Sequence, residues 1–170
     1  MTSLVVLTPL PPPCPPADYE SCNNWPSGTL LDDRQLFWDL LRGLTDRDPC
    51  SWPERIPESA SAPAWTLAFR GERFVGLALT PRYQKRQSRF CDGFALAFQP
   101  LGIFQDLLST PEKMACAVGK VRALTDSLDS VPYSQDVIAV AEGKQSVSTM
   151  FFLSDEDEFW GSVYDKIRSG

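Results

Sequence analysis

The chain of 170 residues contains no histidine. That absence removes Ser-His-Asp and Cys-His catalysis, and with them every imidazole metal or haem ligand. Its five cysteines, Cys14, Cys22, Cys50, Cys91 and Cys116, are odd in number, irregularly spaced and without a CxxC pair. Lacking both histidine and paired cysteines, the chain is not expected to hold zinc. A disulfide scaffold does not suit an intracellular chain of this size either. Long hydrophobic runs are missing too: no window approaches the ~20 apolar residues of a membrane span. The first residues, Met1 to Leu7, carry no basic cluster and only a short apolar stretch, so a cytoplasmic location is expected and no membrane association. Positive charge is scarce, with 16 basic against 22 acidic residues, a net charge of −6 and an isoelectric point near 4.6. Such a chain has no basic face for nucleic acid.

What is present suffices for one domain spanning 1–170. Apolar residues make up 43%, and the five Trp and ten Phe promise a core built largely from aromatic side chains. Ser3 to Leu7 reads as a β-branched strand. Residues 9–28 read as a loop, since six prolines fall between Pro9 and Pro16. Asp32 and Asp33 open a helix over 32–44, with Leu36, Leu40 and Leu44 at four-residue spacing and Phe37 and Leu41 widening the stripe. Pro49, Pro53, Pro57 and Pro63 make 49–63 a second irregular connector. Strands are expected at 65–69 and 74–79, joined by a hairpin turn around Gly71, and at 94–98, apolar on both faces and therefore central. A helical segment follows over 103–130. In it, Thr110-Pro111-Glu112 reads as cap, first-turn proline and acidic first turn, and Met114, Val118, Val121, Leu124 and Leu128 line one face. The stretch Val137 to Val140 is ambiguous. Residues 149–153 read as a last strand. Ser154 then caps a helix near 156–168, with Phe159, Val163 and Ile167 facing inward and the acidic run 155–158 explained by the helix dipole. Hairpins in place of repeated βαβ units give an α+β fold with a largely antiparallel sheet and helices on one face.

One segment concentrates the scarce positive charge. Arg82, Lys85, Arg86 and Arg89 place four of the sixteen basic residues within eight positions, in a loop between two strands. A small anionic ligand, held by planar guanidinium forks, is one reading. A solvated loop paired with the protein's own carboxylates is the other. Arg86 and Arg89 are three apart, so one turn of helix would bring them together. Tyr83 is either a hydrogen-bonding or iron-ligating group or a packed ring. Cys91 is either a thiol activated by nearby Arg89 or a small buried residue. Cys116 reads as core or half-buried. Lys144 and Gln145, after Gly143, reach an anionic ligand or simply face solvent.

The ordered set of segments resembles the YqcI/YcgG family, whose better-understood members are haem-dependent N-oxygenases. Phe37-Trp38-Asp39-Leu40-Leu41, Asp46-Arg47-Asp48 and Trp52-Pro53 are similar to its helix and following turn. Ala64-Trp65 through Phe74-Val75-Gly76-Leu77 is similar to its strand–Gly–strand hairpin. Thr80-Pro81 with Arg86 and Ser88-Arg89 resembles its HP or TP signature and arginine-rich run. Phe94 to Pro100 with Phe104 resembles its FQP strand, and Lys144-Gln145 with Phe151-Phe152 its late KQY element. The resemblance covers about 35–155. It implies haem as cofactor and N-hydroxylation of an amino or guanidino group, in secondary metabolism. By the same resemblance Thr80, Pro81, Tyr83, Arg86 and Arg89 contact the cofactor, Arg82, Lys85, Gln99, Lys144 and Gln145 contact ligand, and Tyr83 or Cys91 is left to ligate iron. Two departures stand out: a shortened start that lacks the family's Tyr-Pro-Cys segment, and the missing histidine beside the arginine run. They leave open a catalytically silent anion-binding protein, and a regulatory subunit whose open sheet edge is completed by a homo- or hetero-oligomeric partner.

Overall fold

The computed structural model describes residues 5–7, 26–103, 109–158 and 160. Four strands, β1 (Val5–Leu7), β2 (Leu67–Phe69), β3 (Glu72–Leu79) and β4 (Ala95–Pro100), form one sheet in the order β1-β4-β3-β2. Every pairing is antiparallel, with Val6 opposite Ala97, Leu77 opposite Ala97 and Ala68 opposite Arg73. Helices α1 (Leu30–Asp46), α2 (Pro111–Leu128) and α3 (Gln135–Ala141) complete an α+β fold. As its two-sided apolarity predicts, β4 lies inside the sheet, and the ambiguous 137–140 stretch belongs to α3.

Helix α1 begins where the sequence can satisfy its first amides. Thr29 Oγ1 accepts from the Asp32 N–H at 3.3 Å, and the Asp32 carboxylate accepts from the Thr29 N–H at 2.6 Å. The buried face of α1 is Asp33, Arg34, Phe37, Trp38, Leu41 and Thr45. Leu36 and Leu40, expected at the centre of the stripe, are instead 36% and 39% exposed. The two aromatic rings, with more apolar area to bury than leucine, set the rotation of the helix. They meet Phe151 and Phe152, with Trp38 stacked on Phe151 at 6.3 Å and Phe37 edge-on to Trp38 at 5.3 Å, and Trp65 packs on the same Phe151 ring. The sheet face bearing Gly76, Ala78, Leu96 and Phe98 closes this core. A Cβ at Gly76 would stand 3.2 Å from the Phe151 ring, so the glycine sets the depth of that contact.

The expected strand at 149–153 is a 3-10 turn over Val147–Met150. Ser146 Oγ accepts from the Ser148 N–H at 3.2 Å, and Thr149 Oγ1 donates to the Ser146 carbonyl at 2.9 Å. These local side-chain bonds compete with a ladder and win. Phe151, Phe152 and Leu153 are apolar because they plug the core, and the Phe151 carbonyl accepts from the Ala78 N–H at 2.9 Å. Residues 155–157 form bends and 158 is irregular, so the described start of the expected 156–168 helix is not helical. Ser154 Oγ still accepts from the Glu156 N–H at 3.0 Å, but the Asp155 carboxylate is occupied by the basic loop, as shown below. Phe159, Val163 and Ile167 lie outside the described residues, as do 9–25 of the expected 9–28 loop and 104–108 of the expected 103–130 helix. The connector 49–63 is irregular, as its prolines require.

The largest departure concerns α2. Thr110 caps it and Pro111 opens it as expected, yet none of its residues is buried. Met114, Val118, Val121, Leu124 and Leu128 are 44–61% exposed, and Cys116 is exposed as well. The stripe that periodicity assigns to a core is exposed, and its second half, Val121, Leu124 and Leu128, borders a cavity instead.

Candidate functional site

The loop after β3 is folded around its own hydrogen bonds. Thr80 is fully buried; its N–H donates to the Arg89 carbonyl at 3.2 Å and its hydroxyl donates to Asp33 Oδ2 of α1. Arg82 lies 3.0 Å from the same carboxylate through Nε, a coulombic contact because the Nε–H is not aligned for a hydrogen bond. Its Nη1 donates to the Gly28 carbonyl at 2.8 Å and its Nη2 to the Pro26 carbonyl. Pro81, half-buried, turns the chain between these two anchors. Tyr83 is buried against Phe152, its hydroxyl donating to the Leu153 carbonyl at 2.8 Å. Burial pushes its phenol well above the usual range, with Arg89 opposing.

Asp155 gathers the next three backbone amides. Its oxygens accept from the N–H groups of Gln84 (2.9 Å), Lys85 (3.0 Å) and Arg86 (2.8 Å), a nest of amides around one carboxylate. Lys85 Nζ pairs with Glu156 in solvent. Arg86, 1% exposed, donates through Nε to the Ser154 carbonyl, through Nη1 to the Pro132 carbonyl and through Nη2 to the Glu156 carbonyl, with Asp129 at 3.8 Å. A 3-10 turn over Gln87–Arg89 follows. Asp129, the residue after α2, accepts from the Ser88 N–H at 2.8 Å and the Ser88 hydroxyl at 3.0 Å, and the Ser130 N–H donates to the Lys85 carbonyl at 2.8 Å. The loop is thus held by the 154–156 segment on one side and the end of α2 on the other.

Arg89 differs from its neighbours. Its Nη2 donates to the Met150 carbonyl at 3.2 Å, but its Nη1 is buried with no hydrogen-bond partner among the described residues. Burial lowers the affinity of this guanidinium for its proton; Arg86 adds to that, while Tyr83 and Asp129 oppose it. Arg89 and Arg86 stand together in the wall of a cavity of about 330 Å³. Leu77 and Leu79 of β3, Val121, Leu124 and Leu128 of α2, and Met150 supply apolar walls, and Tyr133 joins the polar end. Burial raises the Tyr133 phenol above its usual range, and Arg122, 5.4 Å over its ring, opposes that shift.

The cavity brings together only part of the expected set. Arg86 and Arg89 line it. Arg82 and Lys85 are turned to protein carboxylates. Gln99 sits opposite Val75, four strand positions below Leu79. Lys144 is exposed and pairs with Glu142 at 2.8 Å, which raises its affinity for its proton. Gln145 is half-buried after α3. Cys91 is half-buried and is not among the lining residues. Tyr133, Met150 and Asp129 were missed from sequence. Asp129 carried a signal, because a carboxylate at a helix C-terminus opposes the dipole and needs a tertiary partner. Among the described residues no group of three or more His, Cys, Asp or Glu is placed to hold a metal ion.

Comparison with known proteins gives the lineage. Residues 23–162 match the model of the YqcI/YcgG family. The chain is 32% identical to the protein YqcI of Bacillus subtilis (strain 168) over 128 residues, covering 75% of this chain and 50% of that protein. It is 27% identical to YcgG of the same organism over 124 residues, 73% of this chain and 49% of the other. A Streptomyces lavendulae protein named "Putative N(omega)-hydroxy-L-arginine synthase DcsA" is 26% identical over 108 residues, 62% of this chain and 40% of the other. The chain therefore spans half or less of the length of these relatives. No solved structure matches. With 140 consecutive residues matched, the hairpin, the arginine loop and the walls of the cavity included, the chain belongs to the YqcI/YcgG family.

Proposed function

We propose that this chain binds a small acid in the cavity between β3, the 86–89 turn and α2. One observation carries the reading. Arg89, with a buried Nη1 that no group among the described residues engages, stands in the wall of an apolar-sided cavity. A buried donor without a partner is costly, and a guanidinium's preferred partner is a carboxylate or phosphate. A ligand acid would supply what the protein withholds. The cavity volume falls at the low end of the range for small-molecule sites, about 300–1,000 Å³.

A second reading is favoured by kinship: N-hydroxylation of an amino or guanidino group on the bound acid, as the name of the Streptomyces relative describes for that protein. The family resemblance implies haem for such chemistry. The residues the sequence offers for haem do not fit it as a set. Tyr83 spends its hydroxyl on a backbone carbonyl inside the core, Cys91 is off the cavity, and the guanidinium groups of Arg82 and Arg86 are taken up by protein oxygens. The described residues thus support binding, and no oxygen-transfer step is assigned to them.

Two titrations of the purified chain separate the readings. One follows binding of a panel of monocarboxylates and amino acids by calorimetry; the other follows the visible spectrum as haemin is added. Acid binding that weakens about tenfold or more in Arg89→Met, the loss of one charge-assisted hydrogen bond, with no shifted Soret band, supports the catalytically silent binder. A one-to-one Soret band supports the N-oxygenase. A chain that takes neither acid nor haemin refutes both.

A further inference from the structure

We infer that the acid taken by this cavity has an aliphatic or aromatic body and no cationic group, which sets it apart from L-arginine and its relatives. The inference rests on the reading of the cavity as an acid site. It follows from what the wall offers at each point. The charged residues in the lining are Arg86, Arg89 and Asp129. Among the described residues Asp129 is the sole lining carboxylate, and its oxygens accept from the Ser88 amide and hydroxyl and face Arg86. Its side chain is 1% exposed. A guanidinium or ammonium entering the cavity would find, among the described residues, no free counter-charge and two like charges. An unpaired charge in apolar surroundings is strongly disfavoured.

The remaining wall is suited to hydrocarbon. Leu77 and Leu79 face Val121, Leu124 and Leu128, and those three helix residues are 48–61% exposed. An alkyl chain or ring laid between sheet and helix would remove this surface from water, which is favourable in proportion to the area covered. The acid group would lie at the Arg89 end, where Tyr133 adds a hydroxyl. The resulting site has one anionic contact and a hydrophobic slot.

The test uses calorimetric titration of the full chain with four probes: sodium octanoate, 1-octanol, octylamine and L-arginine. Octanoate is expected to bind, octanol at least tenfold more weakly, and octylamine and L-arginine not at all. Arg89→Met should weaken octanoate about tenfold while leaving octanol unchanged. Val121→Trp, a substitution at an exposed helix position, should fill the slot and abolish octanoate binding in a folded protein. L-Arginine binding as tightly as octanoate, with loss in Arg89→Met, would overturn this inference and leave the acid-site reading standing. Octanoate binding that ignores both substitutions, or failure of every acid to bind, overturns the site itself.

Discussion

Arg86 and Arg89 share a turn and a sign of charge but hold opposite positions in the energetics of the loop. Arg86 is buried with each guanidinium nitrogen donating to a carbonyl, and it neutralises Asp129. Removing it strands those acceptors and an acidic partner. Arg86→Met is expected to cost about 3–5 kcal/mol, the range for breaking a buried charged pair from one side. Arg89 leaves Nη1 unpartnered among the described residues, so an apolar side chain of similar length removes a cost along with one bond to Met150. Arg89→Met should change stability by less than about 1 kcal/mol. Urea unfolding of the two variants checks the contrast, and equal losses would contradict it. The charge run was legible in the sequence as a concentration of arginines. Its division of labour was not, because the oxygens that engage Arg82 and Arg86 come from residues 26–33, 129–132 and 154–156, and nothing local in the loop encodes them. A pH effect belongs at this scale too. The Thr29 amide, then the Thr29 hydroxyl, hold the Asp32 carboxyl below its ordinary value of 3.8. A carboxyl depressed in the folded state stabilises it above the unfolded value, and that stabilisation drains away as pH falls from there through the folded value. Urea midpoints measured from pH 5 down to pH 2 should therefore fall more steeply for the native chain than for Asp32→Asn. Parallel curves would show that the cap contributes nothing.

Elements were legible where the pattern is local and hidden where tertiary contacts decide. The β2–β3 hairpin is of the first kind. Arg70 and Gly71 both adopt positive φ, 52° and 79°, the backbone of a two-residue turn that matches strand twist. Glycine takes that shape freely, whereas arginine bears a cost of about 1 kcal/mol. The Arg70 N–H donating to Asp48 at 2.8 Å helps to hold it. Arg70→Asn should raise stability by about 0.5–1 kcal/mol and Gly71→Ala should lower it by about 1 kcal/mol. Thermal melts decide, and an unchanged melting temperature in both would mean that the turn is slack. The 147–153 segment is of the second kind. Its β-branched and aromatic residues suit a strand, yet Ser146 and Thr149 close a 3-10 turn and deliver Phe151 and Phe152 to the core as plugs. Helix α1 was placed to within two residues at each end from its acidic opening and apolar spacing. Its rotation was not, since four-residue leucine spacing outvoted the larger Phe37 and Trp38. For the same reason the stripe on α2 was read as core, although periodicity reports amphipathicity and not what lies opposite.

At the scale of the whole molecule the stability is unevenly distributed. One face of the sheet is sealed by α1 and the aromatic cluster around Phe151, with Phe37, Leu41 and Ala78 at 0% exposure. The other face meets α2 across the cavity, and α2 buries no residue. That helix is fixed to the loop mainly at its end, through Asp129 and Ser130. Most helical stability in proteins comes from packing of an amphipathic face, and α2 packs little of its own, so its persistence depends on weak docking. Native-state hydrogen exchange should therefore show the amides of α2 opening at least about 100-fold faster than those of β3 and β4, as a separate low-stability unit. Saturating octanoate should slow α2 selectively, because an acid spanning Arg89 and the Val121–Leu128 stripe would stabilise the docked form in proportion to its occupancy. If α2 instead exchanged as slowly as β3 in the free protein, the helix would be part of the cooperative core. Its exposed leucines and valines would then have to be covered in solution by another molecule, a consequence that sedimentation of the same sample would reveal.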